Sequence, residues 1–344
     1  MRKVTVNASK TYDIIIKKGA IDLVGNLTKD IIAQGKVCVI SDSNVAPLYM
    51  ERVKNSLSKE GIKAKEYVFP AGEKSKNAQT YIEILNFLAQ GGFTRKDTLI
   101  ALGGGVTGDL TGFCAATYMR GIKFIQLPTS LLAAVDSSVG GKTGIDLSCG
   151  KNLAGAFYQP SMVIFDSDVL KTLSKEYFAD GMAEVIKYAM IKGEGLDKLI
   201  LAEELDIEEI VERCVKIKRD IVNADEFESG IRQILNFGHT VGHAIEAQSD
   251  YTISHGRCVA MGMYIVTKAY KCENLCKQLF KMLEKFNLKT NCPYTPKEIL
   301  ERAKKDKKAD SSGVNLIVSK EMGKCEIVKI TMDELLLLIK EGMK

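Results

Sequence analysis

The stretch DTLIALGGGVTGDLTGF, Asp97–Phe113, decides how this chain is read. It opens as a short apolar run, breaks into three consecutive glycines and resumes with helical spacing, the pattern of a buried strand, a tight turn and a helix. Gly103, Gly105 and Gly108 stand formally as G-x-G-x-x-G. That spacing lets backbone amides and a helix N-terminus approach a pyrophosphate. Alone, the motif is weak. It does not follow the first strand of the chain, and the acidic residue expected about 20 positions later is missing. The plain alternative is a tight turn with no ligand.

Working outward, KVCVISD (36 to 42), AKEYVF (64 to 69), DTLIAL (97 to 102) and KFIQLP (123 to 128) read as buried strands. Stretches such as NAQTYIEILNFLAQGG, with helical periodicity, separate them. Alternation of this kind predicts βαβ units and a parallel sheet. The opening RKVTVNA and YDIIIKKG read as a hairpin on its edge. After about residue 160 the texture changes: LDKLILAEELDIEEIVERCVKIKRDIVNADEFE and CKQLFKMLEKFNL repeat apolar residues every three to four positions and carry few strand signals. The border is Gly-rich and contains QPSM, so the expectation is an α/β domain over 1–160 and a mostly helical one over 161–344. Binding is expected in the cleft between these unlike domains.

Composition narrows the function classes. The 344 residues are 46% hydrophobic and 26% charged, ordinary for a globular protein. Forty-eight basic against 43 acidic residues leave a net charge of +5, spread along the chain without an aromatic-interleaved basic block. A small anionic ligand fits that balance better than nucleic acid. The longest apolar runs, such as Leu335–Ile339, are too short to span a bilayer, and MRKVTVNASK lacks the apolar core of a signal peptide. A cytoplasmic location is expected. Nine scattered cysteines with no C-x-x-C argue for reduced thiols. Cys272 and Cys276, one helical turn apart, could hold a metal but read better as two buried core residues on one helix face.

Two constellations point to chemistry. SSVGGKTGIDLSCGKNLAGAF places Lys142 and Lys151 among glycines with Asn152 and Asp136 nearby, which suits a phosphate or carboxylate held by ammonium groups and amides. PAGEKSKN, with Glu73, Lys74 and Lys76, is a similar polar loop after a strand. The second constellation is LNFGHTVGHAIEAQSDYTISHG (235 to 256), which holds every histidine of the chain: His239, His243 and His255. Four residues apart, His239 and His243 share a helix face, and His255 follows a short polar loop able to fold back. A divalent-metal site needs neutral imidazoles and a carboxylate. Glu184 in GMAEVIKYAMI is the candidate carboxylate, since an unpaired one on an apolar helix is costly. Spacing alone makes both His239 and His243 ligands.

Taken in order, SDSNVAPLY, GEKSKN, GGGVTGDLTGFCAATYMRGI, QLPTSLLAAVDSSVGGKTGID, KNLAGAFYQP, AEVIKYAMI, ADEFESGIRQILNFGHTVGHAIE and DKK resemble the 3-dehydroquinate synthase family of sugar-phosphate cyclases over nearly the whole chain. The resemblance implies a Rossmann-like nucleotide-binding α/β domain followed by a mostly α-helical metal-binding domain, bound NAD, and one zinc or cobalt ion in the cleft. It implies the conversion of 3-deoxy-D-arabino-heptulosonate 7-phosphate to 3-dehydroquinate and phosphate, a lyase step of the shikimate pathway of aromatic amino acid biosynthesis, with NAD recycled.

Carried over by position, the resemblance makes Glu184, His239 and His255 the metal ligands and His243 a substrate-side residue in proton transfer. NAD contacts map onto Asp42, Asn44, Glu73, Lys76, Gly104, Gly105, Val106, Asp109, Thr129, Ser130, Lys142, Lys151 and Thr172. Substrate contacts map onto Asp136, Lys142, Lys151, Asn152, Lys187, Lys218, Arg232, Asn236 and one lysine of Lys307 and Lys308. Arg120 resembles an arginine supplied by the neighbouring subunit, which implies a homodimer. Two stretches depart from the pattern: the usual HGEAVA reads HGRCVA, placing Arg257 and Cys258 after His255, and TLSKEYF lacks the common proline and arginine. Rival readings are another sugar-phosphate cyclase, a metal-dependent polyol dehydrogenase, and a non-catalytic NAD-binding sensor. Lys142, Lys151 and Lys218 weigh against the dehydrogenase, and Glu184 with three histidines against the sensor.

Overall fold

A computed structural model of the protein describes residues 1–304 and 313–344. The chain divides into two units: 1–173 with 218–227, and 174–217 with 228–344. The first unit carries β1 (Arg2–Asn7), β2 (Thr11–Ile16), α1 (Val24–Ile32), β3 (Val37–Asp42), α2 (Ala46–Lys59), β4 (Ala64–Phe69), α3 (Ala78–Gln90), β5 (Thr98–Gly103), α4 (Gly105–Thr117), β6 (Lys123–Pro128), β7 (Lys142–Leu147), β8 (Gly150–Phe157) and β9 (Met162–Phe165).

Seven of these strands form one sheet in the order β1-β2-β9-β6-β5-β3-β4. Only β1 and β2 pair antiparallel, placing the opening hairpin at the edge as expected. All other pairings in this sheet are parallel. β5 is buried throughout, as a strand covered on both faces must be. β4 departs from the expectation of a buried strand: it occupies the other edge, and most of its residues are partly or fully exposed. From β3 the chain moves outward to β4 and then returns across β3 to β5. The strand order therefore reverses between β3 and β5, and ligands of open parallel sheets bind at the carboxyl ends of such neighbouring strands.

The first unit continues past the residue-160 border read from the sequence, because β9 inserts between β2 and β6. The glycine-rich stretch after β6 is also more ordered than its composition suggests. β7 and β8 form an antiparallel hairpin of their own, and Ala133–Ser137 makes a π-helical turn.

The second unit holds α5 (Lys175–Lys192), α6 (Leu196–Leu201), most of α7 (Ile207–Ala224), α8 (His239–Gln248), α9 (His255–Ala269), α10 (Glu273–Lys285), α11 (Pro296–Ala303), β10 (Val314–Glu321), β11 (Lys324–Ile330) and α12 (Met332–Met343). It is mostly helical, with the β10–β11 hairpin as an addition the sequence pattern did not suggest. α7 runs through the division, its residues from Lys218 onward belonging to the first unit. α5 is buried without interruption from Ala179 to Ile191, which makes it the central helix of this unit. Cys272 precedes α10 as its cap and Cys276 lies one turn inside; both are half-buried, not core residues. All nine cysteines are free thiols. Among the described residues no helix is long and apolar enough to cross a membrane.

Candidate functional site

In the first unit the polar residues gather where the strand order reverses. β5 ends at Gly103, and α4 begins at Gly105 with Gly104 as its cap and no side chain bonded to its first amides. The turn thus presents Gly104, Gly105 and Val106 as backbone donors at a helix N-terminus. Gly108 packs α4 closely against β6: a Cβ there would lie 2.7 Å from the Gln126 side-chain oxygen, which would have to move aside. At the end of β3, Asp42 accepts hydrogen bonds from the amides of Asn44 (2.9 Å) and Val45 (3.1 Å) and from the Thr107 hydroxyl (3.3 Å), which ties the β3 turn to α4. The Thr129 amide donates to the Gly103 carbonyl (2.9 Å), placing Thr129 and Ser130 beside the same turn. The Thr172 hydroxyl lies 2.5 Å from that of Tyr49 on α2.

Lys76 is the hub of the second polar group. Its ammonium group lies 2.5 Å from both Asp109 of α4 and the side-chain oxygen of Asn152 on β8, and the residue is only 4% exposed. Burial favours its neutral form, but Asp109 and Glu73 hold its pKa above the usual lysine value. Lys151 faces Glu73 at 3.7 Å. Asn152 adopts a left-handed backbone (φ 55°), and its amide donates to Asp146 (2.8 Å) across the hairpin. Asp136, on the π-helical turn, accepts from Lys218 through both its carboxylate (2.8 Å) and its carbonyl (2.6 Å). Lys142 opens β7 and is exposed. Arg120 is exposed on a turn where Met119 (φ 50°) and Arg120 itself (φ 66°) are both left-handed. Among the described residues its side chain makes no hydrogen bond or ion pair, so nothing ties it to this group.

In the second unit the three histidines converge. Their ring centroids lie 5.1 to 5.6 Å apart, and one nitrogen from each falls within 4.8 Å of the others. His239 and His243 come from the first two turns of α8, and His255 is the first residue of α9. The two helices meet closely because Gly262 has no side chain: a Cβ there would lie 2.1 Å from the Gly238 carbonyl. Glu184, fully buried on α5, sets one carboxylate oxygen 3.5 Å from His239 Nε2 and 3.4 Å from His255 Nε2. Lys187, one turn along α5 and equally buried, forms an ion pair with the other oxygen.

The far side of each ring fixes what its near side offers. His239 Nδ1 lies 3.0 Å from the Phe237 carbonyl, which can only accept, so Nδ1 carries the proton and Nε2 presents a lone pair. Burial and the Lys187 charge hold this ring well below the ordinary histidine pKa, so it is neutral. His255 Nδ1 lies 3.1 Å from Glu246. Burial alone would lower its pKa, but Glu184 and Glu246 outweigh that and lift it to about 10. Two imidazoles with occupied Nδ1 atoms, facing a buried carboxylate, are a donor set that fits a divalent metal.

Arg232 is buried and Asn236 donates to Glu228 (2.7 Å); a cavity of about 290 Å³ is lined by Glu228, Asn236, His239, Thr240, His243 and residues of the β10 hairpin and α12. Cys258 turns its thiol to the Ile253 carbonyl (3.7 Å). Arg257 is exposed. Ser174 caps α5 without help from the missing proline. Lys307 and Lys308 lie outside the described residues.

Three residues were not singled out from the sequence. Glu246 follows His239 and His243 by seven and three positions, so helical periodicity places all three on one face of α8. Asp146 lies opposite Asn152 only once the β7–β8 hairpin is known, and Glu228 had no local cue.

The profile for "3-dehydroquinate synthase N-terminal" matches residues 66–180, and that for "3-dehydroquinate synthase C-terminal" matches 181–309. The chain is 42% identical to a 3-dehydroquinate synthase of Streptococcus suis, covering 97% of this chain and 98% of that one. It is also 42% identical to a 3-dehydroquinate synthase of Clostridium kluyveri, covering 97% of each. Among solved structures, a 2-deoxy-scyllo-inosose synthase complexed with carbaglucose-6-phosphate, NAD+ and Co2+ matches at a TM-score of 0.88 over 99% of this chain and 100% of that one. At 24% identity that likeness concerns the fold.

Proposed function

The chain belongs to the 3-dehydroquinate synthase family, and on that premise we propose that it converts 3-deoxy-D-arabino-heptulosonate 7-phosphate to 3-dehydroquinate and phosphate with NAD and one divalent metal. The observation that carries the reading is 42% identity to curated synthases over 97% of the chain. The chemistry of the residues agrees with it. A bound NAD supplies a reversible hydride acceptor, and a bound metal supplies a Lewis acid for neighbouring sugar hydroxyls.

In the first unit the Gly104–Val106 turn, Asp42, Asn44, Glu73, Lys76, Asp109, Thr129, Ser130 and Thr172 are assigned to the dinucleotide. Lys142 and Lys151 serve both it and the substrate phosphate, stabilising the anionic leaving group as charge develops. Asn152, Asp136 and Lys218 orient hydroxyls. In the second unit Glu184, His239 and His255 hold the metal, and His243 manages a substrate proton. Arg232 and Asn236, with Asn152 of the first unit, favour a carboxylated substrate, and Lys187 is a further substrate contact. After elimination, ring closure is intramolecular and needs positioning more than further acid or base groups.

The test is phosphate release across a panel of sugar phosphates. Release from 3-deoxy-D-arabino-heptulosonate 7-phosphate should far exceed that from glucose 6-phosphate; the reverse order would replace this reading with that of another sugar-phosphate cyclase.

We place the enzyme in the cytoplasm, where its free thiols stay reduced. We also propose a homodimer in which Arg120 serves the partner's site, which accounts for an exposed, left-handed arginine held on a strained turn. Mixing Arg120→Ala with His243→Ala subunits should then restore part of the activity through heterodimers with one intact site. No recovery after confirmed subunit exchange would count against the shared site.

A further inference from the structure

Resting on the metal assignment above, we infer that Glu246 is a positioning residue for that metal: its carboxylate fixes the tautomer and orientation of His255 and raises the basicity of the ligating nitrogen. Glu246 Oε2 lies 3.1 Å from His255 Nδ1, on the side of the ring opposite the Nε2 that faces Glu184. The carboxylate is almost fully buried, its side chain 8% exposed, where an acid without a cationic or strong-donor partner is costly. The backbone of the same residue holds the loop that delivers His255. Its carbonyl accepts from the Ser249 hydroxyl (2.7 Å) and the Tyr251 amide (3.0 Å), at a bend where Asp250 and Tyr251 are both left-handed. His239 differs, since its Nδ1 donates to a neutral backbone carbonyl. The two imidazoles are thus unequal: His255 alone is backed by a full negative charge, the arrangement that makes a histidine the stronger donor to a metal.

The experiment compares wild type, Glu246→Ala, Glu246→Gln and His239→Ala. Zn2+ affinity is measured by chelator competition, the visible absorption band of the Co2+-loaded protein is recorded, and melting of the metal-free protein separates binding from folding. Glu246→Ala should weaken metal binding roughly 10- to 100-fold and alter the Co2+ band. Glu246→Gln keeps an acceptor for Nδ1 but not the charge, so it should retain a near-native band with an affinity loss of a few-fold. Wild-type affinity and band in both variants, while His239→Ala loses metal, would overturn the role of Glu246. If the alanine variant does not fold, unchanged affinity in the glutamine variant suffices to overturn it. Undiminished binding in His239→Ala would instead bring down the metal assignment, and this inference with it.

Discussion

Glu184→Gln is expected to leave purification with little bound metal and with turnover reduced about a thousandfold, the loss of roughly 4 kcal/mol of Lewis-acid stabilisation. The reason lies in α5. Glu184 sits where that helix is buried all round, its carboxylate shared between the Lys187 ammonium and two imidazole Nε2 atoms. Glutamine keeps the shape and removes the charge that a divalent cation needs. Because glutamine still leaves the buried Lys187 ammonium without its carboxylate, which costs about 3 to 5 kcal/mol of stability, melting of the metal-free variant is measured beside its metal content so that metal loss is separated from unfolding. His243→Ala separates the roles: it should keep its metal and lose about 100- to 10,000-fold in turnover, the range of a missing proton-transfer group. His243 lies as near the other two rings as they lie to each other, so the contrast is demanding. Metal analysis of the purified variants decides it, and equal metal loss in His243→Ala would make the three histidines the ligand set. Cys258→Ala should retain full metal, because that thiol faces the Ile253 carbonyl.

How much of this was legible follows from how local each signal is. Asp97–Phe113 announced strand, turn and helix because a fully buried strand and a glycine turn each leave an unmistakable composition. β7 and β8 left none. Most of their residues are small or polar, most are partly or fully exposed, and the pairing that makes them a hairpin joins positions up to fifteen apart, such as Lys142 and Phe157. The border at 160 was drawn before β9 because MVIF is only four residues long and follows a proline. The return of 218–227 to the first unit is invisible in sequence, since α7 continues through it with unbroken helical spacing. In the site, the histidine cluster was plain and the H-x-x-x-H spacing was real. Spacing alone pointed to both His239 and His243, and the choice of Glu184 in place of His243 rests on the family resemblance, since all three rings converge in the structure. Glu246 was within reach of periodicity, yet an acid on a polar helix face ordinarily means solvent.

The second large effect concerns the fate of the hydride. In the cyclase reading, a bound NAD would serve as a temporary hydride acceptor while phosphate is eliminated and would undergo no net change. On that reading the first unit would hold the reduced dinucleotide through the elimination. The Gly104–Val106 amides, Asp42 and Lys76 are the groups proposed above to hold it there. A polyol dehydrogenase would release NADH every cycle. Phosphate and NADH should therefore be followed together, with 3-deoxy-D-arabino-heptulosonate 7-phosphate in excess and NAD near the enzyme concentration. Phosphate is expected to accumulate to many equivalents per NAD while NADH absorbance never exceeds the enzyme present; NADH growing in step with product, or phosphate stopping at one equivalent per NAD, would contradict the account.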